Sequence, residues 1–179
     1  MDFTFIDGGV TAAKGFQASG IHCGIRKNRD KKDLALLVSD RPAASAAVYT
    51  KNLVLGAPCT VTKQHLENNT ARAVICNSGI ANTCAFDGVE KANAMCELTA
   101  KALGIAADDV LVASTGVIGP SINLEPIERG IPALAAALSA EGHTDAAEAI
   151  MTTDTVKKEL ALRLKLGGKT CTIGGMAKG

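Results

Sequence analysis

The sequence contains no tryptophan, one tyrosine and four phenylalanines among 179 residues. So few aromatic rings provide no platform on which bases could stack. An excess of either charge is also lacking: 19 Lys and Arg face 18 Asp and Glu, for a formal net charge of +1. Without a basic surplus there is no bulk attraction for a phosphate backbone, so nucleic acid is not expected as a partner. No apolar run approaches the roughly 20 residues that cross a bilayer. The opening Met1-Asp2-Phe3-Thr4-Phe5 carries no basic stretch followed by an apolar one, so no secretion signal is read there. No membrane association is expected, and the chain reads as cytoplasmic.

Several catalytic and binding signatures are missing as well. No nucleotide fingerprint of the type GxGxxG or GxxxxGK[ST] occurs. His22, His65 and His143 stand apart, so no Ser-His-Asp or Cys-His relay assembles from the sequence, and a structural or exposed role is expected for each. The six cysteines, Cys23, Cys59, Cys76, Cys84, Cys96 and Cys171, include no CxxC pair and no His at ligand spacing. This excludes a zinc-type site and gives the expectation of buried free thiols in a reducing compartment, with no metal and no cofactor.

What is present is a globular composition, with 47% hydrophobic and 21% charged residues. The length fits one domain with a real core. Strands are expected at Phe16 to Arg26, Asp33 to Val38, Ser45 to Thr50 after an Arg41-Pro42 turn, Ala71 to Cys76 and Val110 to Ala113. Leu160, Leu162, Leu164 and Leu166 alternate with partly charged positions, and Gly167-Gly168 turns that strand into Lys169 to Ile173. A helix is expected from Asp87, with Glu90 in a capping-box position. Val89, Ala92, Met95, Cys96, Thr99 and Leu103 share one face of it, and Gly104 ends it. A second helix opens at Glu125-Pro126 and buries Ile127, Ile131, Leu134 and Leu138, with a kink or late start at Pro132. Shorter helices are expected at Pro58 to Leu66 and from Thr144 to Met151. The fold class is therefore α+β and layered.

Three segments and one lysine can carry chemistry. Val110 to Gly119 is an apolar strand running into a small-residue turn, where Thr115 sets a hydroxyl beside the Gly116 N–H and the pair can stabilise an oxyanion. The same run also reads as an ordinary strand-to-loop turn. Cys76-Asn77-Ser78-Gly79-Ile80-Ala81-Asn82 is a second polar turn after a buried strand. Met151-Thr152-Thr153-Asp154-Thr155 clusters hydroxyls after a short helix, which suits either capping or a ligand. Lys178 reads as a solvated side chain or as a cation for a substrate carboxylate. Gly174 to Gly179 follows a strand with nothing to close it, which hints at one part of a larger protein and equally suits a flexible terminus. No nucleophile is visible.

The order and spacing of Gly15-Phe16-Gln17-Ala18-Ser19-Gly20, Leu55-Gly56-Ala57-Pro58, Asn77-Ser78-Gly79-Ile80-Ala81-Asn82, Ser114-Thr115-Gly116-Val117-Ile118-Gly119, Ile150-Met151-Thr152-Thr153-Asp154 and Gly174-Gly175-Met176-Ala177-Lys178-Gly179 resemble the ornithine acetyltransferase family. These are the monofunctional or bifunctional glutamate N-acetyltransferases of arginine biosynthesis, also called the ArgJ family. The resemblance implies an αββα layering like that of the N-terminal-nucleophile hydrolases with different connectivity. It implies that residues 1–179 are the α chain of a self-cleaved precursor, whose β chain begins with the nucleophilic Thr. The activity implied is ping-pong transfer of acetyl from N-acetylornithine to glutamate, with acetyl-CoA left open as a second donor. By the same resemblance Thr115 and Gly116 form the oxyanion hole, Thr152 and Lys178 contact substrate with Thr153 as the alternative to Thr152, and the partner is the β chain in an α2β2 heterotetramer or larger. The family's stretch between the Met-Ala-Lys-Gly segment and the cleavage site is missing from this sequence. Rival readings are an aminopeptidase of the related self-cleaving fold and a non-catalytic small-molecule-binding domain.

Overall fold

The computed structural model describes residues 3–179. Its larger sheet has the order β2-β3-β4-β5, built from β2 (Phe16–Ile21), β3 (Leu34–Ala44), β4 (Thr70–Ile80) and β5 (Val110–Val117). The first pairings are antiparallel, and β4 runs parallel to β5. A parallel pair needs a crossover, supplied by α2 (Gly88–Leu103), which Gly104 ends in the left-handed region. Alternation along the strands sorts the side chains into two faces. Leu34, Leu36, Ile75, Val110 and Val112 pack on α1 (Ala57–His65), α2 and α3 (Leu124–Ala136) through Val61, Met95, Cys96, Ile127 and Leu134. Full burial of each large apolar side chain contributes roughly 1.5–3 kcal/mol.

The opposite face carries small residues. Ala18 and Ala35 meet Ala146, Ala149 and Ile150 at α4 (His143–Ala149). A Cβ at Gly20 would lie 2.0 Å from the Asp145 carbonyl oxygen, so α4 sits directly on the β2 backbone. Met176 packs against the same cluster from the second sheet. That sheet has the order β1-β6-β7, with β1 (Phe3–Ile6), β6 (Lys158–Leu166) and β7 (Lys169–Ala177) all antiparallel. Its hairpin turns at Gly167 and Gly168 with φ of +56° and +78°, as a two-residue turn requires. The layered α+β arrangement is thus found.

Several sequence expectations need correction. Residues 45–50 form no strand. Arg41 and Pro42 lie within β3, where the register shifts between Val38 and Ala43. Such an irregularity accommodates a proline that cannot donate to the ladder. β2 stops at Ile21 because the Asp33 carboxylate takes the N–H groups of Cys23, Gly24 and Arg26 into a loop. Asp87 caps α2 without a side-chain bond; its carboxylate accepts instead from Ser121 Oγ at 2.6 Å. Val89 is exposed rather than packed. α3 starts earlier, capped by Asn123, and continues through Pro132. α4 starts after Gly142, and the Thr144 hydroxyl donates to Glu159. All six thiols are free, yet only Cys96 is fully buried and Cys84 is exposed. The turns expected around Thr115 and Ser78 are strand: both residues lie in the β4–β5 ladder.

Candidate active site

β4 and β5 end together, with Asn77 opposite Ser114, Ser78 opposite Thr115 and Gly79 opposite Gly116. Gly116 has φ +134°, and a Cβ there would lie 2.2 Å from the Gly79 carbonyl carbon. Only glycine fits this approach. β5 is an edge of its sheet, so its outer backbone groups have no strand partner among the described residues. Thr115 is half-buried and Gly116 exposed at this edge. The arrangement therefore offers donors to a ligand oxygen, although on a strand end and not in a turn. Asn77 is fully buried and donates from Nδ2 to the Ile80 carbonyl at 2.9 Å, which holds the strand end.

A second group forms around Asp154. Its carboxylate accepts from Lys158 Nζ at 2.8 Å, from the Thr152 N–H at 3.1 Å and from the Gly179 N–H at 3.0 Å, and it pairs with Lys178 Nζ at 3.3 Å. The Lys158 bond first, then the Thr152 and Gly179 N–H groups and Lys178, hold this carboxyl well below the usual carboxylate range. Thr152 and Lys178, far apart in sequence, are thereby joined. Thr152 is half-buried while Thr153 is exposed. Two ammonium groups around one carboxylate leave a local positive charge, suited to an anionic ligand group.

Two struts bring these groups toward each other. Ser78 Oγ donates to the Ala149 carbonyl at 2.6 Å, fixing the end of α4 to the β4 end. Arg26 Nη2 donates to the Met151 carbonyl, one residue before Thr152. The Arg26 stem lies over Gly79, where a Cβ would be 3.2 Å from Arg26 Cγ. The loop that carries Arg26 is gathered by Asp33, which is fully buried and lies 3.2 Å from His22 Nδ1. A cavity of about 460 Å³ runs beside this strut, lined by Arg26, Lys32, Glu148, Met151, Thr155 and Lys157. Sequence reasoning missed Asp33, Arg26, Ser78 and Asp154 as supports. Asp154 and Ser78 carried a signal, since they stand in the hydroxyl cluster and the second polar turn already noted, whereas Asp33 and Arg26 carried none. The histidines are structural: His143 pairs with Glu159 at 2.8 Å, His65 bonds the Val110 carbonyl, and His22 bonds the Lys31 carbonyl. No group of His, Cys, Asp and Glu among the described residues is placed to hold a metal ion.

Known proteins resemble this chain in sequence and in fold. The sequence model of the ArgJ family matches residues 17–179. The arginine biosynthesis bifunctional protein ArgJ of Symbiobacterium thermophilum is 51% identical over 177 residues, which cover 98% of this chain and 44% of that protein. The Bacillus subtilis protein of the same name is 48% identical, covering 97% of this chain and 42% of its own length. The chain thus spans less than half the length of these curated relatives. Among solved structures, ArgJ of Bacillus halodurans superposes with a TM-score of 0.91 at 41% identity, covering 99% of this chain and 94% of that chain. Ornithine acetyltransferase of Mycobacterium tuberculosis, solved in complex with ornithine, gives a TM-score of 0.91 at 37% identity over 99% of this chain and 95% of that one. On the extent of these matches, the chain belongs to the ArgJ family.

Proposed function

We propose that this chain is the α chain of a glutamate N-acetyltransferase that moves the acetyl group of N-acetylornithine onto glutamate in arginine biosynthesis. The observation that carries the reading is the likeness to a solved ornithine acetyltransferase holding ornithine. The site supports it, because the Ser78–Ala149 bond ties a donor-bearing strand end to the segment that leads into a cationic group fit for an amino-acid carboxylate. The nucleophile is the N-terminal Thr of a β chain made from the same precursor. Its own α-amine titrates near neutrality and takes the hydroxyl proton, so no histidine is needed. The hydroxyl attacks the acetyl carbonyl, and the Thr115 hydroxyl and Gly116 N–H donate to the oxyanion that forms. The carbon–nitrogen bond breaks, ornithine leaves with the proton, and an acetyl ester remains on the Thr. The glutamate amine then attacks that ester and regenerates the hydroxyl. Thr152 and Lys178 hold the amino-acid portion common to both substrates, with Thr152 favoured over Thr153 because Asp154 accepts from its N–H and it is the less exposed of the two. Acetyl-CoA is an alternative acetyl donor in the bifunctional members, and the enzyme works in the cytoplasm as an α2β2 heterotetramer or larger.

The test is expression of the complete precursor beside residues 1–179 alone, each assayed for acetylornithine-dependent acetylation of glutamate. Transfer by the processed enzyme and none by the isolated chain is the expected result. Turnover of acetylornithine that is indifferent to glutamate would mark a hydrolase instead. Appreciable transfer by the isolated chain would overturn the placement of the nucleophile on a second chain.

A further inference from the structure

We infer that Asp154 is a positioning residue, which locks Lys178 and the Thr152 backbone into one unit so that the Lys178 ammonium meets the α-carboxylate of the substrate. This rests on the acetyl-transfer reading above. The side chain of Asp154 is only 3% exposed. One carboxylate oxygen accepts from Lys158 Nζ and the Gly179 N–H, and the other from the Thr152 N–H, with Lys178 Nζ at 3.3 Å. A carboxylate has about four acceptor positions, so these donors fill it. Asp154 therefore has no lone pair left for a ligand and acts through its neighbours. Lys178 differs: its side chain is 25% exposed, and its contacts are Asp154 and the Gly179 carbonyl. An ammonium has three donors, so one remains for an incoming anion. Lys158 matters to this arrangement because it balances the Asp154 charge and leaves the Lys178 charge for the ligand. Fixing a long, flexible lysine before the substrate arrives lowers the ordering cost of binding.

The test is a double-mutant cycle in the complete processed enzyme, with Asp154→Asn, Lys178→Met and the double variant. Michaelis constants for acetylornithine and glutamate are measured, together with the dissociation constant of ornithine by calorimetry. Asp154→Asn should raise both Michaelis constants roughly tenfold and move kcat less, because it removes a binding contact shared by both half-reactions. In the Lys178→Met background the same substitution should change them by less than about twofold, since residues acting as a unit are not additive. Equal factors in both backgrounds would overturn the proposal, because general structural damage is additive. Unchanged constants would overturn it too. If Asp154→Asn fails to fold or to be processed, Asp154→Glu enters the same cycle and is judged by the same coupling. An unsubstituted enzyme that binds ornithine with the coupling intact but transfers no acetyl would overturn the reaction and support the positioning role. Transfer with additive effects would do the reverse.

Discussion

Gly116 shows how a single backbone position constrains the proposed oxyanion site. Its φ of +134° is strained for any side chain, and a Cβ would come within 2.7 Å of three backbone atoms of Gly79 and Ile80. Positive φ alone costs a non-glycine residue about 1–3 kcal/mol. Gly116→Ala is therefore expected to part the ends of β4 and β5, lowering the thermal midpoint of the assembled enzyme and abolishing transfer together. Thr115 is a contrasting case, since it is half-buried beside that contact and outside the core clusters. Thr115→Ala should lower the acetyl-transfer rate roughly a hundredfold, the order seen when one oxyanion donor is lost. Its thermal midpoint should move little. A variant with normal transfer would remove the hydroxyl from the mechanism. The two substitutions thus separate a glycine needed for geometry from a threonine needed for chemistry.

At the scale of elements, α4 is the member that carries the Thr152 segment to the strand ends. It lies so close to β2 that Gly20→Ala would place a Cβ 2.0 Å from the Asp145 carbonyl oxygen. Overpacking of this kind costs typically about 1–3 kcal/mol. Displaced α4 would drag Ala149 from Ser78, so the variant should lose substrate affinity as well as thermal stability. The start of α4 is tied to β6 through Glu159. Burial works to raise that carboxyl, but hydrogen bonds from Lys157, His143 and Thr144 outweigh it and hold it at about 2, against an ordinary 4.5. A depressed carboxyl contributes stability that is complete above its unfolded value and is lost as pH falls through its folded value. The midpoint difference between the unsubstituted protein and Glu159→Gln should therefore be full above about pH 5 and fade toward about pH 2. A difference that grew with acidity would contradict the assignment. Elements with strong local periodicity, such as α2, α3 and the Gly167-Gly168 hairpin, were legible in the sequence. Residues 45–50 were not, because Val48 and Tyr49 have strand-forming side chains but no neighbouring strand accepts them, and Val48 is 99% exposed. The capping box failed for a similar reason: Ser121 takes the Asp87 carboxylate, a partner invisible locally. Thr115, Gly116, Thr152 and Lys178 stood out in the sequence as candidates with ordinary structural alternatives, and only the resemblance chose between the two; their supports Asp33, Arg26 and Ser78 act through tertiary contacts that leave no periodic trace.

Among the described residues, one sheet face is left uncovered. In the second sheet Phe3 stands opposite Leu164, Phe5 opposite Leu162, and Leu162 opposite Ile173, so all of these point to the same side. Phe3, Phe5, Leu160, Leu166 and Ile173 are each more than half exposed. The body of the chain instead takes the other side of this sheet, where Ala161 is buried. A contiguous apolar face of this kind marks an association surface. Burying each such side chain fully contributes roughly 1.5–3 kcal/mol, so several of them favour a stable complex. The relatives are more than twice as long as the matched region, 44% of the Symbiobacterium protein being covered, and their remaining part is the proposed occupant. Ile173→Lys discriminates this reading from a merely tolerated exposed face. The side chain is already 57% exposed in this chain, so folding of residues 1–179 should be little affected. Association with the second chain should fail, because an ammonium would have to be desolvated against an apolar partner. Sedimentation of the processed enzyme checks both points. The unsubstituted protein should show no free α chain, whereas Ile173→Lys should release one. A free, monodisperse α chain from the unsubstituted enzyme would refute the association. A variant that assembled normally would instead move the interface away from β7 while leaving the association itself in place.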